Sequence, residues 1–363
     1  MKVSFIHTSD IHIGKRFRIK GFSLKEREKR RQEIQDTFDE IIRTARDEKT
    51  RFLFIAGDLT EVEYVNFKIL KGLSARFKSI PDTKVVIACG KNDPYNNVSS
   101  LYEYTDWPEN VHLIKNTQSA EKIYFQEENL CVYSMSRDSN EQRLPLQAMY
   151  DISVDNDRIN VLLMHCDTDA EPELTASMDA IKNKFDYCAM GGRHNFSAEQ
   201  DNIVYCGSPE PISFDEEGEH GIVKGNLEKG TVEYEFKHLS KRRFITRNIN
   251  LESGYSFNKI LDLIKFSGDT FSNIKDYVRI NLTGEVNTDV SMDEVENEAR
   301  QFFYYIEFGE NYIYKNPEVK IQDCNEFNII ESYKLQFENN QDKTEQQAFK
   351  LGLEVLRKEK VVN

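Results

Sequence analysis

Short apolar runs, each closing on small or polar residues, recur through the first half of the chain. Val3 to Ile6 has the length and branching of a buried strand, and the loop beyond it carries Asp10 and His12. Arg51 to Ala56 (RFLFIA) ends in Gly57-Asp58, and Lys84 to Ala88 (KVVIA) ends in Cys89-Gly90-Lys91-Asn92-Asp93-Pro94. Shorter strands are predicted at Val111 to Ile114, Lys122 to Phe125 and Leu130 to Ser134, after the Trp107-Pro108 turn. Arg158 to Met164 (RINVLLM) delivers His165, and Asp186 to Met190 (DYCAM) delivers Gly191-Gly192-Arg193-His194. Between the first runs, Ile34, Phe38, Ile41, Ile42 and Ala45 keep the 3.6-residue period of a helix, and residues 66 to 78 form another. Strands alternating with helices predict a layered α/β fold with its site at the strand ends.

The pattern changes past Arg243. Asn248 to Leu251 reads as a linker strand, Phe257 to Phe266 as an amphipathic helix, Tyr277 to Leu282 as a strand and Met292 to Phe303 as a second helix. Residues 338 to 347 are polar and read as a loop. Phe349, Leu353 and Leu356 then share one stripe of a final helix, with Lys and Arg opposite. That helix either folds onto its own domain or docks on a partner. The expected domains are residues 1–245, 246–337 and 338–363.

Bulk properties narrow the class. At 363 residues, with 39% hydrophobic and 30% charged, the chain reads as soluble and globular, long enough for a main domain and appendages. A net charge of −14 argues against nucleic-acid binding through the overall field. One block departs from this: residues 15 to 31 hold nine Lys or Arg against two Glu. It is either a solvated helix start or a phosphate-facing patch, with Lys15, Arg16 and Arg18 nearest to the Asp10 loop. No run reaches membrane-span length, and Lys2 with a four-residue apolar run makes no signal peptide. Six cysteines without CxxC spacing (Cys89, Cys131, Cys166, Cys188, Cys206, Cys324) read as reduced, mostly buried thiols of a cytoplasmic protein.

Asp10 and His12 are spaced so that a carboxylate oxygen and an imidazole nitrogen converge on one point, which suits manganese, iron or zinc. Alone the pair is weak. Asp10, His12, Asp58, His165 and His194, however, all lie just beyond predicted strands, and five residues in one topological position imply a shared metal site.

The motif order resembles the calcineurin-like metallophosphoesterases, with blocks DxH, GD, GNHD, a lone His after an apolar strand, and GHxH. Val204 to Gly221 (VYCGSPEPISFDEEGEHG) also looks like the segment that closes the phosphoesterase domain in the SbcD nuclease family. Across residues 1–245 the resemblance implies a four-layer β-sandwich flanked by helices, followed by a small α+β capping domain and a C-terminal helix. It further implies that Asp10, His12, Asp58 and His194 hold one ion, expected to be Mn2+. The second ion would share Asp58 and use His165, but Lys91 stands where the family has its ligating Asn and Gly192 where it has a His. Asn92 replaces the His that assists the leaving group, so no catalytic residue of that kind is intact.

Glycine offers no ligand atom and a protonated lysine no lone pair. Two-metal hydrolysis holds its ions about 3.5 to 4 Å apart, so the second ion should bind weakly or not at all. Losing general acid–base help costs on the order of 10²- to 10⁴-fold in rate. Two escapes stay open: the loop slips so that Asn92 takes the ligand position, or the Lys91 ammonium replaces the second ion as a phosphate anchor. Lys91 and Arg193 join the basic loop as candidate phosphate or DNA contacts.

The implied function is an SbcD-like DNA-binding or scaffolding subunit of a DNA-end-processing complex, with phosphodiesterase activity lost or strongly reduced. The alternative is an active metal-dependent DNA exonuclease or endonuclease with a rearranged site. A phosphomonoesterase fits the acidic charge but not the closing segment. The resemblance implies DNA, an SbcC-like coiled-coil ATPase and a second copy of the chain as partners.

Overall fold

A computed structural model of the chain describes residues 2–19, 22–95, 100–138, 152–166, 182–200, 202–268, 270–315, 333 and 343–358. They divide into two compact units, Met1–Arg243 and Phe244–Asn363.

The first unit is built on two six-stranded sheets. One contains β1 (Val3–Thr8), β2 (Phe52–Ala56), β3 (Lys84–Ala88), β4 (Val111–Leu113), β11 (Gly221–Glu228) and β12 (Thr231–His238), in the order β12-β11-β1-β2-β3-β4. The other contains β5 (Glu121–Phe125), β6 (Leu130–Met135), β7 (Ile159–His165), β8 (Tyr187–Gly191), β9 (Ser197–Gln200) and β10 (Ile203–Tyr205), in the order β5-β6-β7-β8-β10-β9. Strands β1 to β4 are parallel, as are β6, β7, β8 and β10. Their ends therefore collect at one edge of each sheet, as parallel pairing requires.

Strand alternation explains the core. Phe52, Phe54 and Ala56 of β2 meet Val161 and Leu163 of β7 and Ala189 of β8 in one buried cluster between the sheets. Leu53 and Ile55 point to the opposite face and are equally buried. Helix α1 (Leu24–Asp47) and helix α2 (Phe67–Lys78) join through the edge-on rings of Phe38 and Phe77, 5.9 Å apart. The outer face of the second sheet carries a separate cluster that includes Leu162, Met164, Cys188 and Tyr205.

The second unit is a three-stranded parallel sheet, β13 (Phe244–Leu251), β14 (Tyr277–Asn287) and β15 (Tyr305–Lys315), with β14 central. Helices α3 (Phe257–Lys265), α4 (Thr270–Lys275) and α5 (Met292–Ala299) connect the strands, and α6 (Lys343–Lys358) follows. Its core is its own: Ile260 and Ile264 of α3 and Val295 of α5 cluster with Val278, Ile280 and Leu282 of β14. Two expectations are corrected here. The linker strand at Asn248 to Leu251 is the second half of a full sheet member, and residues 343–347 are the first turn of α6 rather than loop. In α6, Phe349 and Leu353 are buried, and Phe349 stacks on Tyr333.

Candidate metal centre

The loops after β1 and β2 are braced against each other before any side chain is considered. The Asp10 N–H donates to the Gly57 carbonyl, His12 N–H to Asp58 and Ile13 N–H to Leu59, each at 3.0 Å, while Glu61 N–H returns to Ile13 at 2.9 Å. This ladder holds Asp10, His12 and Asp58 at φ of 51°, 53° and 51°. Left-handed backbone costs a non-glycine residue about 1 to 3 kcal/mol and persists only where surrounding contacts impose it. The same three residues carry the chemistry.

Glycines let the two sheets close on this point. A Cβ on Gly57 would lie 2.5 Å from the His165 ring, and one on Gly90 would lie 2.2 Å from Asp58 Oδ1. Any side chain at either position would push a ligand out of place.

Two groups of ligating side chains result: Asp10, His12 and His194, and Asp10, Asp58 and His165, with the ligand atoms of each group within 4.8 Å of one another. His194 Nε2 is 3.7 Å from Asp10 Oδ1, His12 Nε2 is 3.9 Å from Asp58 Oδ2, and His165 Nε2 is 3.6 Å from Asp58 Oδ1. All five sequence-predicted ligands therefore converge. Asp10 takes part in both groups and Asp58 in one.

The donor set fits a divalent cation. Asp10 Oδ1 and His12 Nε2 are buried and make no hydrogen bond among the described residues. A buried polar atom without a partner costs about 1 to 3 kcal/mol, and a cation between these atoms supplies the partner. The ring orientations agree. His165 Nδ1 donates to the Ala56 carbonyl at 2.9 Å, and His194 Nδ1 donates to Glu216 Oε1 at 2.8 Å, which leaves each Nε2 facing the carboxylates.

Charge in the pocket is finely balanced. Burial works against protonation of His194, yet the Glu216 hydrogen bond and the nearby Asp10 charge hold its pKa up at about 9. His165 is raised in the same way, against burial, by Asp58 and Asp10. Asp58 is lowered despite burial because His165 and His12 face it. Cation and protons compete for the same lone pairs, so binding of one releases the other.

The departures from the family pattern take definite places. Asp93 accepts from the N–H groups of Gly90 at 2.6 Å, Asp58 at 3.0 Å and Thr60 at 3.2 Å, and from the Tyr102 hydroxyl at 2.8 Å. Burial, then the Asp58 charge, raises the Asp93 pKa to about 6. These bonds anchor the loop through Gly90 and Asp93. Asn92 sits on Asp58 as a donor, its N–H 2.7 Å from Oδ1 and its Nδ2 2.5 Å from Oδ2. Gly192, at φ 101°, gives its N–H to Asp10 Oδ2 at 3.0 Å, beside the Ser9 hydroxyl at 2.5 Å. Lys91 is exposed.

The basic block divides. Lys15 is half-buried and pairs with Glu61 at 2.7 Å, while Arg16 lies over the Tyr64 ring and Arg193 over Tyr205, each at 4.4 Å. Arg18 is exposed. Arg30 is fully buried, bonded to Glu33 at 3.0 Å and Glu210 at 2.7 Å, and so belongs to the core. Cys166 and Cys206 are buried thiols, Cys206 lying 3.1 Å from the Ser9 hydroxyl, and Cys324 lies outside the described residues.

Sequence reasoning missed Glu61, Asp93 and Glu216. Glu61 and Glu216 belong to no strand-end motif, and only pairing in space reveals them. Asp93 was visible as the last residue of the GKND block.

Residues 3–196 match the calcineurin-like phosphoesterase family. A relative from Bacillus subtilis (strain 168), the uncharacterized metallophosphoesterase YhaO, is 23% identical over 292 residues, spanning 75% of this chain and 68% of its own length.

Proposed function

Because this chain belongs to the calcineurin-like phosphoesterase family, we propose that it binds one divalent cation firmly, Mn2+, and serves as an SbcD-like DNA-binding or scaffolding subunit with phosphodiester hydrolysis lost or greatly slowed. The observation that carries this reading is Asn92. Where the family has a proton-exchanging His, an amide that cannot titrate spends its N–H groups on Asp58. A bound divalent ion supplies Lewis-acid stabilisation of charge on a phosphoryl oxygen. Lys91 and Gly192 add no ligand on the side of His165, and without an acid near the leaving oxygen the rate falls by about 10²- to 10⁴-fold. Lys91, next to Asn92, and Arg18 are exposed cations suited to phosphate.

In this reading the partners are DNA, a second copy of the chain and an SbcC-like coiled-coil ATPase. Helix α6 supports the last of these, since Leu351 and Val355, one turn apart, are exposed.

A second reading, an active phosphodiesterase, draws on the Asp10, Asp58 and His165 group, which keeps three donors for a second ion. Manganese-dependent hydrolysis of bis(p-nitrophenyl) phosphate and of linear duplex DNA, run beside an Asp58→Ala control, separates the two. The expected result is turnover either absent or about 10²- to 10⁴-fold below that of an intact phosphodiesterase, together with salt-dependent DNA binding. Turnover at the rate of an intact phosphodiesterase that disappears in the control overturns the scaffold reading.

A further inference from the structure

Both imidazoles of the Asp10, His12 and His194 group rest on a carboxylate. His194 Nδ1 is 2.8 Å from Glu216 Oε1, and His12 Nδ1 is 3.0 Å from Glu61 Oε1. The imidazole of the other group, His165, rests on a neutral carbonyl, that of Ala56. Glu216 is itself held rigidly: its second oxygen accepts from the Ile212 N–H at 3.0 Å and the Ser208 hydroxyl at 3.2 Å, and the residue is buried. Glu61 is tied differently, since the oxygen facing His12 also pairs with Lys15 at 2.7 Å.

We propose that Glu216, hydrogen-bonded to His194, and Glu61, whose carboxylate lies beside His12, are positioning residues: Glu216 fixes the tautomer of His194, and the two charges together concentrate cation affinity on that side of the site. A carboxylate behind a ligating imidazole orients the ring and strengthens its lone pair, and a neutral carbonyl does so less. Glu216 carries the larger share, because Lys15 neutralises part of the charge that Glu61 presents to His12. The inference rests on the metal-centre reading and adds a cause for unequal affinity that is independent of Lys91, Asn92 and Gly192.

Calorimetric Mn2+ titration of the full chain, with Mn2+ electron paramagnetic resonance and a melting curve of each metal-free protein, tests this. Glu216→Gln, which keeps shape and an acceptor oxygen but removes the charge, should weaken the tighter Mn2+ by about 10- to 100-fold. Glu61→Gln should weaken it less, and Lys15→Ala should strengthen it. Metal-free melting should stay near wild type in all three, while the resonance line shape of the tight ion changes in the Glu216 variant. Wild-type affinity in Glu216→Gln overturns the proposal, as does equal weakening of every bound ion. Wild-type protein that takes up no Mn2+ overturns the metal-centre reading itself, and the inference with it.

Discussion

His7 is fully buried, with Nδ1 2.9 Å from the Tyr187 hydroxyl, and burial pushes its pKa down to about 3. The fold therefore holds the neutral ring, whereas the unfolded chain protonates it near the ordinary value of about 6.5. The sign follows: the unfolded state binds more protons below that pH, so His7 lowers stability as pH falls from about 6.5 toward 3, by about 1.4 kcal/mol per unit. His7→Phe should cost about 1 kcal/mol at pH 7 through the stranded Tyr187 hydroxyl. By pH 4.5 the comparison should invert, because wild type has lost about 2 to 3 kcal/mol on account of this ring. Urea midpoints of both proteins across pH 7 to 4.5 check this, and parallel curves would refute it. Gly192 illustrates the same scale. Its φ of 101° suits glycine, and its N–H occupies Asp10, so the missing imidazole coincides with a backbone that resists one.

Helix α1 shows how local chemistry sets an element. Ser23 caps it by accepting from the Glu26 N–H while Glu26 reaches back to the Ser23 N–H, a reciprocal capping box. The buried stripe of Ile34, Phe38, Ile41 and Ala45 follows the helical period. Phe38→Ala should lower unfolding free energy by about 3 to 5 kcal/mol, since the ring is fully buried and the edge-on contact with Phe77 is lost. Chemical denaturation measures this, and a loss below about 1 kcal/mol would mean that the site collapses around the gap. Apolar runs marked the buried strands within a residue or two, although β7 runs on through His165 itself. Strands with little apolar character escaped notice. Ser197–Gln200 pairs only at the sheet edge, and Tyr305–Lys315 spreads its aromatics among Glu, Gly and Asn. The first turn of α6 misled for the opposite reason, since a polar run is also what a solvated helix looks like.

At the scale of the whole molecule, the clusters between and behind the two large sheets lie within residues 1–243, and a third lies within 244–363. All five candidate ligands, with Glu61 and Glu216, belong to the first unit. A fragment of residues 1–243 should therefore fold alone and bind Mn2+ as the full chain does, while residues 244–363 should bind none. Circular dichroism and calorimetry of the two fragments test this, and a first fragment without cooperative unfolding would count against it. The sequence by itself determined the buried strands, the family and the five residues that meet at the strand ends, because period and residue type record burial and donor chemistry locally. Only the tertiary structure decided that Asp10 joins both ligand groups, that Asn92 lies on Asp58, that Arg30 is core and that Glu61 and Glu216 stand behind the imidazoles. Those outcomes depend on loops braced across neighbouring strands and on contacts between distant stretches of chain, such as Gly192 on Asp10, 182 residues apart. Strand order brings such pairs together, and no local pattern encodes it.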